Sequence, residues 1–239
     1  YYYRDSEDGQ AQADLNRLMD GTFSNQEAGM PEGTVHSELL RRPGKLYVLA
    51  SHFHPDHFNK EVLQWREQRP DIIYIFSKDI LRHRRAQKED AVWLKKGEEY
   101  KDETLSVRAF GSTDVGVSFL LQTGGKKIFH AGDLNNWHWM DESTEAEWKG
   151  AEKNFLHELD DIYAYTPEVD VAMFPVDPRL GKEYMRGAGQ FVTKIKTHIF
   201  VPMHFTPEYA KANAFRDFAE AHGVRFVSLT HRGQKIEIE

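Results

Sequence analysis

Six residues constrain this chain more than any other stretch: His52-Phe53-His54-Pro55-Asp56-His57. Three imidazoles and a carboxylate stand together, behind Ser51 and ahead of Phe58. The preceding run, Leu46-Tyr47-Val48-Leu49-Ala50, is apolar and reads as a buried strand. Asn59 to Gln68 follows, and Val62, Leu63 and Trp65 supply the apolar positions of a short helix. The motif therefore falls on a strand-to-helix loop, where scaffolds commonly present functional side chains. His52 and His54 are two apart, so an extended backbone points both imidazoles the same way. Asp56 and His57 are expected at the start of the helix, where backbone N–H groups orient a carboxylate. Four converging nitrogen and oxygen donors suit Zn²⁺ or another borderline divalent metal, with Mn²⁺ and Fe²⁺ as alternatives. A loop merely rich in histidine would leave the ligand-like residues farther along unexplained.

His52-x-His54-x-Asp56-His57 resembles the signature of the metallo-β-lactamase superfamily, and most nearly its small bacterial hydrolases related to the L-ascorbate-phosphate lactonase. The resemblance runs from about Thr34 to the C-terminus. It implies an α/β fold, a four-layer αββα metallo-β-lactamase-like sandwich, with residues 1–239 as a single domain. The strand pair that usually opens such a fold is not evident, so the expected sandwich lacks its opening strands. Residues 1–33 are polar and turn-rich, with one short helix expected over Ala11 to Met19. His36 reads as a surface or supporting histidine.

In the resembled family two metals share one cleft. Asp133, within His130-Ala131-Gly132-Asp133, matches the bridging aspartate, and His204, within Val201-Pro202-Met203-His204, matches the late histidine. Alone, Asp133 would read as a turn residue and His204 as a capping or core residue. The implied metal ligands are therefore His52, His54, Asp56, His57, Asp133 and His204. The family's middle histidine is absent, and Ser112, before Thr113-Asp114, stands in its place. A serine hydroxyl is a poor zinc ligand beside imidazole and carboxylate. One half-site then keeps His52, His54 and Asp133, while Asp56, His57, Asp133 and His204 make a complete set of four. The expectation is a mononuclear enzyme, or one whose other metal is weakly held. His130 and His138 are the substitutes to consider, His130 rather as a supporting or core residue.

A bound divalent metal lowers the pKa of its water to about 7 and polarises a carbonyl or phosphoryl oxygen. Asp56 is the residue expected to orient or deprotonate that water. Asp177 and Arg179 follow the strand end Phe174-Pro175-Val176, and Arg179 could meet an anionic group bidentately. Asp177 reads equally as a turn cap before Pro178. With His138 and Ser112 they form the candidate substrate-binding set, and Trp137 and Trp139 could wall the pocket.

Composition excludes several classes. No cysteine is present, which rules out disulfides and thiolate metal sites and fits a reducing cytoplasm. No run of 18 apolar residues marks a membrane span, and no signal peptide is visible. A net charge of −7 disfavours a nucleic-acid partner, and the one basic cluster, Arg82-His83-Arg84-Arg85, reads as a solvated helix face. A small-molecule substrate is the expected partner, and a homo-oligomer stays open. The reaction expected is hydrolysis of a small anionic ester, lactone or phosphodiester. A nuclease of the same superfamily and a non-catalytic metal-binding relative are the competing readings.

Further strands are expected at Ile72 to Phe76, Ala91 to Leu94, Glu103 to Phe110, Val169 to Phe174, Thr197 to Pro202, Arg225 to Leu229 and Lys235 to Ile238. A hairpin is expected through Val117 to Gln122, Gly124-Gly125 and Lys126 to His130. Helices are expected at Lys78 to Ala86, Ser143 to Asp161 with Phe155, Leu156 and Leu159 on one face, Met185 to Lys196, and Ala210 to His222 with Phe218 facing inward.

Overall fold

The computed structural model describes residues 34–35, 37–205 and 207–238. The short helix expected over Ala11 to Met19, the question of opening strands, and His36 all lie outside the described residues. The chain divides into two compact units, Tyr1–Trp93 with His231–Glu239, and Leu94–Thr230. The fold is α/β throughout.

Among the described residues the first unit has a single helical turn, α1 (Ser37–Leu40), followed by β1 (Tyr47–Ala50), β2 (Ile73–Ser77), α2 (Lys78–Arg82) and β3 (Val92–Leu94), at whose end the second unit begins. The three strands form one sheet in the order β1-β2-β3. β1 and β2 are parallel, pairing Tyr47 with Ile73 and Ala50 with Phe76. A parallel pair requires a crossover of a dozen or more residues. Residues 51–72 supply it, and the histidine motif opens it at the C-terminal end of β1. The helix of this crossover is a 3-10 helix, Lys60–Glu67, rather than an α-helix. It buries none of its residues fully, and Val62, Leu63 and Trp65 pack only partly on a core of Leu40, Phe58, Tyr74, Phe76 and Ile80. Only Ala50 of β1 is fully buried, so that strand is less enclosed than its apolar sequence suggested. The basic helix is also shorter than expected. It stops at Arg82, and Arg84 adopts a left-handed backbone at φ 55° that no helix continues.

The second unit is built on a seven-stranded sheet in the order β10-β9-β8-β7-β6-β5-β4. These strands are β4 (Glu99–Lys101), β5 (Ser106–Phe110), β6 (Ser118–Thr123), β7 (Lys126–His130), β8 (Glu168–Pro175), β9 (Lys196–Met203) and β10 (Arg225–Phe226). β4 through β7 run antiparallel, whereas β7 through β10 are parallel. β6 and β7 close around Gly124 (φ 56°) and Gly125 (φ 75°), with Thr123 facing Lys126. Two positive φ values in a two-residue loop match the twist of the flanking strands.

Three crossovers carry helices: α3 (Glu145–Tyr165), α4 (Arg186–Lys194), and the pair α5 (Tyr209–Asn213) and α6 (Arg216–Ala221). Thr144 caps α3 in a reciprocal box with Glu147, and Phe155, Leu159 and Ile162 form its buried stripe. Leu156, expected on that stripe, is 36% exposed. Phenylalanines fill the core: Phe174 meets Phe191 at 4.7 Å and Phe155 at 6.2 Å, and Phe200 meets Phe215 at 5.0 Å.

The helix expected over Ala210 to His222 is broken in two. Asn213 spends its side chain on Leu229, donating to its carbonyl and accepting from its N–H. Such side-chain bonding to backbone competes with helix continuation. Phe218 is left 41% exposed, stacked on His222. The strand begun at Arg225 ends at Phe226, and Lys235 to Ile238 forms no strand. No helix among the described residues is long and apolar enough to cross a membrane.

Candidate metal centre

In the first unit the chain leaves β1 and turns at once. The N–H groups of His57 and Phe58 both donate to the His54 carbonyl, at 3.0 and 2.8 Å. Asp56 therefore stands in a turn, not at a helix start. Asn59 caps the 3-10 helix instead, accepting from the Glu61 N–H at 3.0 Å. The loop is anchored at Phe53, whose N–H donates to Asp79 at 2.9 Å and whose ring stacks on His83 at 3.6 Å.

Ser51 lies against two of the histidines. Its buried Oγ is 3.0 Å from His52 Nδ1 and 3.4 Å from His57 Nδ1. A hydroxyl has two acceptor lone pairs, and in accepting from both Nδ1–H groups it leaves both Nε2 atoms as lone-pair donors. His52 Nε2 then meets His54 Nδ1 at 3.0 Å, so the two imidazoles do converge. His57 Nε2 lies 3.4 Å from Asp56 Oδ2. Charge-assisted N–H···O bonds are about 2.7–2.9 Å long. Two ligands on one tetrahedral ion, each about 2.0–2.2 Å from it, sit roughly 3.3–3.5 Å apart. The Asp56–His57 spacing matches the second case.

In the second unit topology does the gathering. β7, β8 and β9 are parallel neighbours, with His130 beside Met173 and Pro175 beside Met203. Their C-terminal ends meet one edge of the sheet, where ligands bind in open α/β sheets. Asp133, Asp177 and His204 follow those three ends. Gly132 has φ 56°, a left-handed turn that glycine adopts without a Cβ penalty, and it delivers the buried Asp133. His204 itself is at φ 61°, uncommon for a residue with a side chain and a mark of functional sites.

Asp177 holds His204 in place. The fully buried carboxylate accepts from His204 Nδ1–H at 3.0 Å and from Arg179 through its backbone N–H, Nε and Nη2 at 2.5 to 3.0 Å. Burial pushes its pKa up, but the bonds from His204 and Arg179 outweigh burial and hold the carboxyl below its ordinary value. With Nδ1–H given to Asp177, His204 presents the Nε2 lone pair, and that nitrogen is 3.4 Å from Asp133 Oδ1. The 3.4 Å separation of the Asp56–His57 pair thus recurs. Imidazole and carboxylate donors without a thiolate fit Zn²⁺, Mn²⁺ or Fe²⁺.

The remaining expected residues divide. Trp137 lies edge-on to His204 at 5.7 Å, donates to the Asp133 carbonyl at 2.8 Å and stacks on Trp139, in keeping with a wall role. His138 does not join them: it is buried, its Nε2–H donates to the Glu183 carbonyl and its Nδ1 accepts from Met140, so backbone engages both nitrogens. His130 Nδ1 accepts from the Gly132 N–H at 3.1 Å, the supporting role expected of it. Ser112 lines a polar hollow with Thr113, Asn154, His157 and Glu158. Asp177 is a buried support of His204 rather than a group open to substrate, while Arg179 is 55% exposed.

Sequence reasoning passed over four residues. Ser51 was read only as part of the motif's frame. Asp114 offers a carboxylate oxygen within 4.8 Å of one on Asp133. Thr113 Oγ1 donates to the Asn135 carbonyl and accepts from its N–H, at 2.5 and 3.0 Å. Glu152 on α3 receives Arg186, Gln190 and the buried Asn136, at 2.5 to 3.1 Å, and so clamps the loop that follows Asp133. The Arg186 guanidinium draws the Glu152 carboxyl down to about 2. The only sequence signals were hydroxyls and carboxylates flanking the matched motifs.

Comparison with family models matches residues 31–205 to the beta-lactamase superfamily domain. Comparison with curated proteins finds no match. Solved structures share the fold. A proposed metal-dependent hydrolase from Parabacteroides distasonis is 16% identical, with a TM-score of 0.53 over 86% of this chain and 83% of that one. Igni18, a metallo hydrolase from the archaeon Ignicoccus hospitalis, is 17% identical, with a TM-score of 0.53 over 78% and 77%. CmlA, a diiron β-hydroxylase from Streptomyces venezuelae, is 13% identical, with a TM-score of 0.51 over 77% of this chain and 44% of that one.

Proposed function

Because the chain belongs to the beta-lactamase superfamily domain family, we propose that it is a metal-dependent hydrolase of a small, anionic ester, lactone or phosphodiester. Residues 1–239 act in this reading as one domain, of the branch related to the L-ascorbate-phosphate lactonase, in the cytoplasm and on a soluble small molecule. The ligands are His52, His54, Asp56, His57, Asp133 and His204, and what joins the two donor sets is the family pattern. The observation that carries the reading is His204. Its Nδ1 is bonded to buried Asp177, and its Nε2 faces Asp133 at 3.4 Å, a ligand-pair separation.

Zn²⁺ is the ion favoured, with Mn²⁺ or Fe²⁺ as substitutes. When bound, it would supply an activated water at neutral pH and polarise the oxygen of the bond to be cleaved. The chain's own residues do the rest. Asp56, 47% exposed in its turn, takes or orients the proton of the attacking water. Ser51 and Asp177 hold His52, His57 and His204 in the tautomer that offers Nε2. Arg179, anchored on Asp177, is the residue assigned to an anionic substrate group. Trp137 and Trp139 limit the access of bulk water beside His204.

The test is elemental analysis of protein purified without chelator, wild type against His204→Ala, with turnover of a generic phosphodiester and a lactone followed with and without added metal. Bound metal that the variant loses, together with metal-dependent turnover, is the expected result. Protein that takes up neither Zn²⁺ nor Mn²⁺ on addition would overturn the reading. Metal binding without turnover of any ester, lactone or phosphodiester would leave a binding relative.

A further inference from the structure

Beside the strand-end donors of the second unit lies a pair of tryptophans. We propose that Trp137 and Trp139 form a stacking shelf for a planar aromatic group of the substrate, whose anionic group Arg179 receives. The inference rests on the metal-hydrolase reading above and narrows its substrate class, to anionic esters or phosphodiesters that carry an aryl group. Trp137, Trp139, Arg179 and His204 all belong to the second unit.

Both rings are fixed relative to His204. The Trp137 indole N–H donates to the Asp133 carbonyl at 2.8 Å, and its ring lies edge-on to the His204 imidazole, with centroids 5.7 Å apart. Trp139 lies nearly parallel to Trp137, at 6.2 Å and 15°. Its backbone is at φ 42°, a left-handed conformation that is an outlier for so bulky a residue. Strain of this kind persists only where surrounding contacts impose it, and it gathers at ligand clamps. Here the Glu142 and Ser143 N–H groups close on the Trp139 carbonyl, at 2.9 and 2.8 Å. The loop is also locked to the 3-10 helix Pro178–Glu183, which carries Arg179. His138 Nε2–H donates to the Glu183 carbonyl at 3.1 Å, and the Asp141 carboxylate fills the space that a Cβ on Gly181 would need. Indole pair and guanidinium are thereby held on one frame.

What this wall presents is aromatic ring surface. Residues 131–136 are all buried, whereas both indoles that follow are only half-buried. The polar groups of Trp137 and His138 are committed to backbone, so they serve the loop rather than the hydroxyls of a sugar. A flat aromatic ring, by contrast, gains from offset or edge-to-face contact with an indole. The Arg179 guanidinium, anchored on Asp177 and with Nη2 3.4 Å from His204 Nδ1, supplies the charge for an anionic group on the same molecule. Both recognition elements touch His204. A substrate held by ring and anion together is therefore held next to a residue assigned to the metal.

Phenylphosphonate, an aryl anion with no ester bond to hydrolyse, is the probe. Its binding to protein purified without chelator is measured by isothermal titration calorimetry. The comparison ligands are cyclohexylphosphonate, of similar size but without a π face, and glycerol phosphate, a hydroxyl-rich anion. Wild type is expected to hold phenylphosphonate about tenfold more tightly than cyclohexylphosphonate. Trp139→Leu should abolish that preference and Trp139→Phe should restore part of it, with thermal melts taken for both variants. Equal wild-type affinity for the two phosphonates would overturn the inference, and that comparison needs no variant. So would an aryl preference that a folded Trp139→Leu keeps, or tighter binding of glycerol phosphate than of phenylphosphonate. Any of these results alongside metal-dependent turnover would remove the shelf and leave the hydrolase reading standing. An aryl preference that depends on Trp139, in protein that takes up no metal, would keep the shelf and remove the hydrolase.

Discussion

In the first unit, four donors sit within His52 to His57, on a turn that exits a three-stranded sheet and is closed by its own backbone. In the second, Asp133 and His204 come from two strands separated by β8, and each depends on a partner elsewhere, the buried Asp177 for His204 and the half-buried Glu152 clamp for the Asp133 loop. The first arrangement is specified by spacing and the second by register. The difference teaches where a donor can be lost cheaply. A residue of the turn can change without disturbing the core, whereas a strand-end donor shares its supports with the fold.

The sharpest way to break this contrast lies in the second unit's core. Phe174→Ala removes a fully buried ring that touches Phe155, Phe191 and Phe200 just before Asp177. It should cost about 3–5 kcal/mol in denaturant unfolding. Metal affinity should fall with it, because β8 carries the residue that orients His204. Unfolding cost with unchanged metal affinity would show that the strand-end donors do not depend on the core.

Next in size is Glu152→Gln, which weakens the charge-assisted bonds from Arg186 to the loop clamp and should cost about 2 kcal/mol in a thermal melt. The pH dependence follows from the depressed pKa. A carboxylate held near 2 in the folded state contributes stability above its unfolded value of about 4.3 and loses it as pH falls toward 2. Wild type should therefore lose stability over that interval more steeply than the variant. Identical acid profiles would remove the clamp from the account. Gly132→Ala follows, at about 1–2 kcal/mol, since the left-handed backbone there penalises a Cβ. The shift in melting temperature reads it directly.

Smallest in stability is Asp56→Asn in the exposed turn, within about 0.5 kcal/mol of wild type by denaturant unfolding. Its metal affinity should nonetheless drop at least about tenfold. A large loss of stability here would mean the turn is no local device after all.

The same contrast explains what could be read from sequence. The motif turn was legible because its donors are near neighbours, and period-two spacing correctly aimed His52 and His54 together. Its helix was misjudged, since Asn59 rather than Asp56 caps it and the turn intervenes. Asp133 and His204 were legible only through family resemblance, because nothing local distinguishes a strand-end aspartate from a turn residue. Thr113 escaped for a further reason. Its tie to the Asn135 backbone depends on β5 leaving the sheet at the same edge as β7, and strand order is not written in any short window. His138 erred the other way: a histidine between tryptophans looked functional, yet the backbone claims both of its nitrogens.

The parallel run of β7, β8 and β9 also sets an order in time. During synthesis the motif turn needs only nearby residues, Asp79 and His83 the farthest of them, and can form as soon as β1 to α2 have emerged. His204, at the end of β9, cannot meet Asp133 and Asp177 until two helical crossovers have been made and the last long strand has docked on β8. Contacts so distant in sequence form late and slowly. The nascent chain would thus carry an exposed histidine-rich turn well before its strand-end donors exist, so early capture of an ion by that turn is a hazard that the order of assembly builds in.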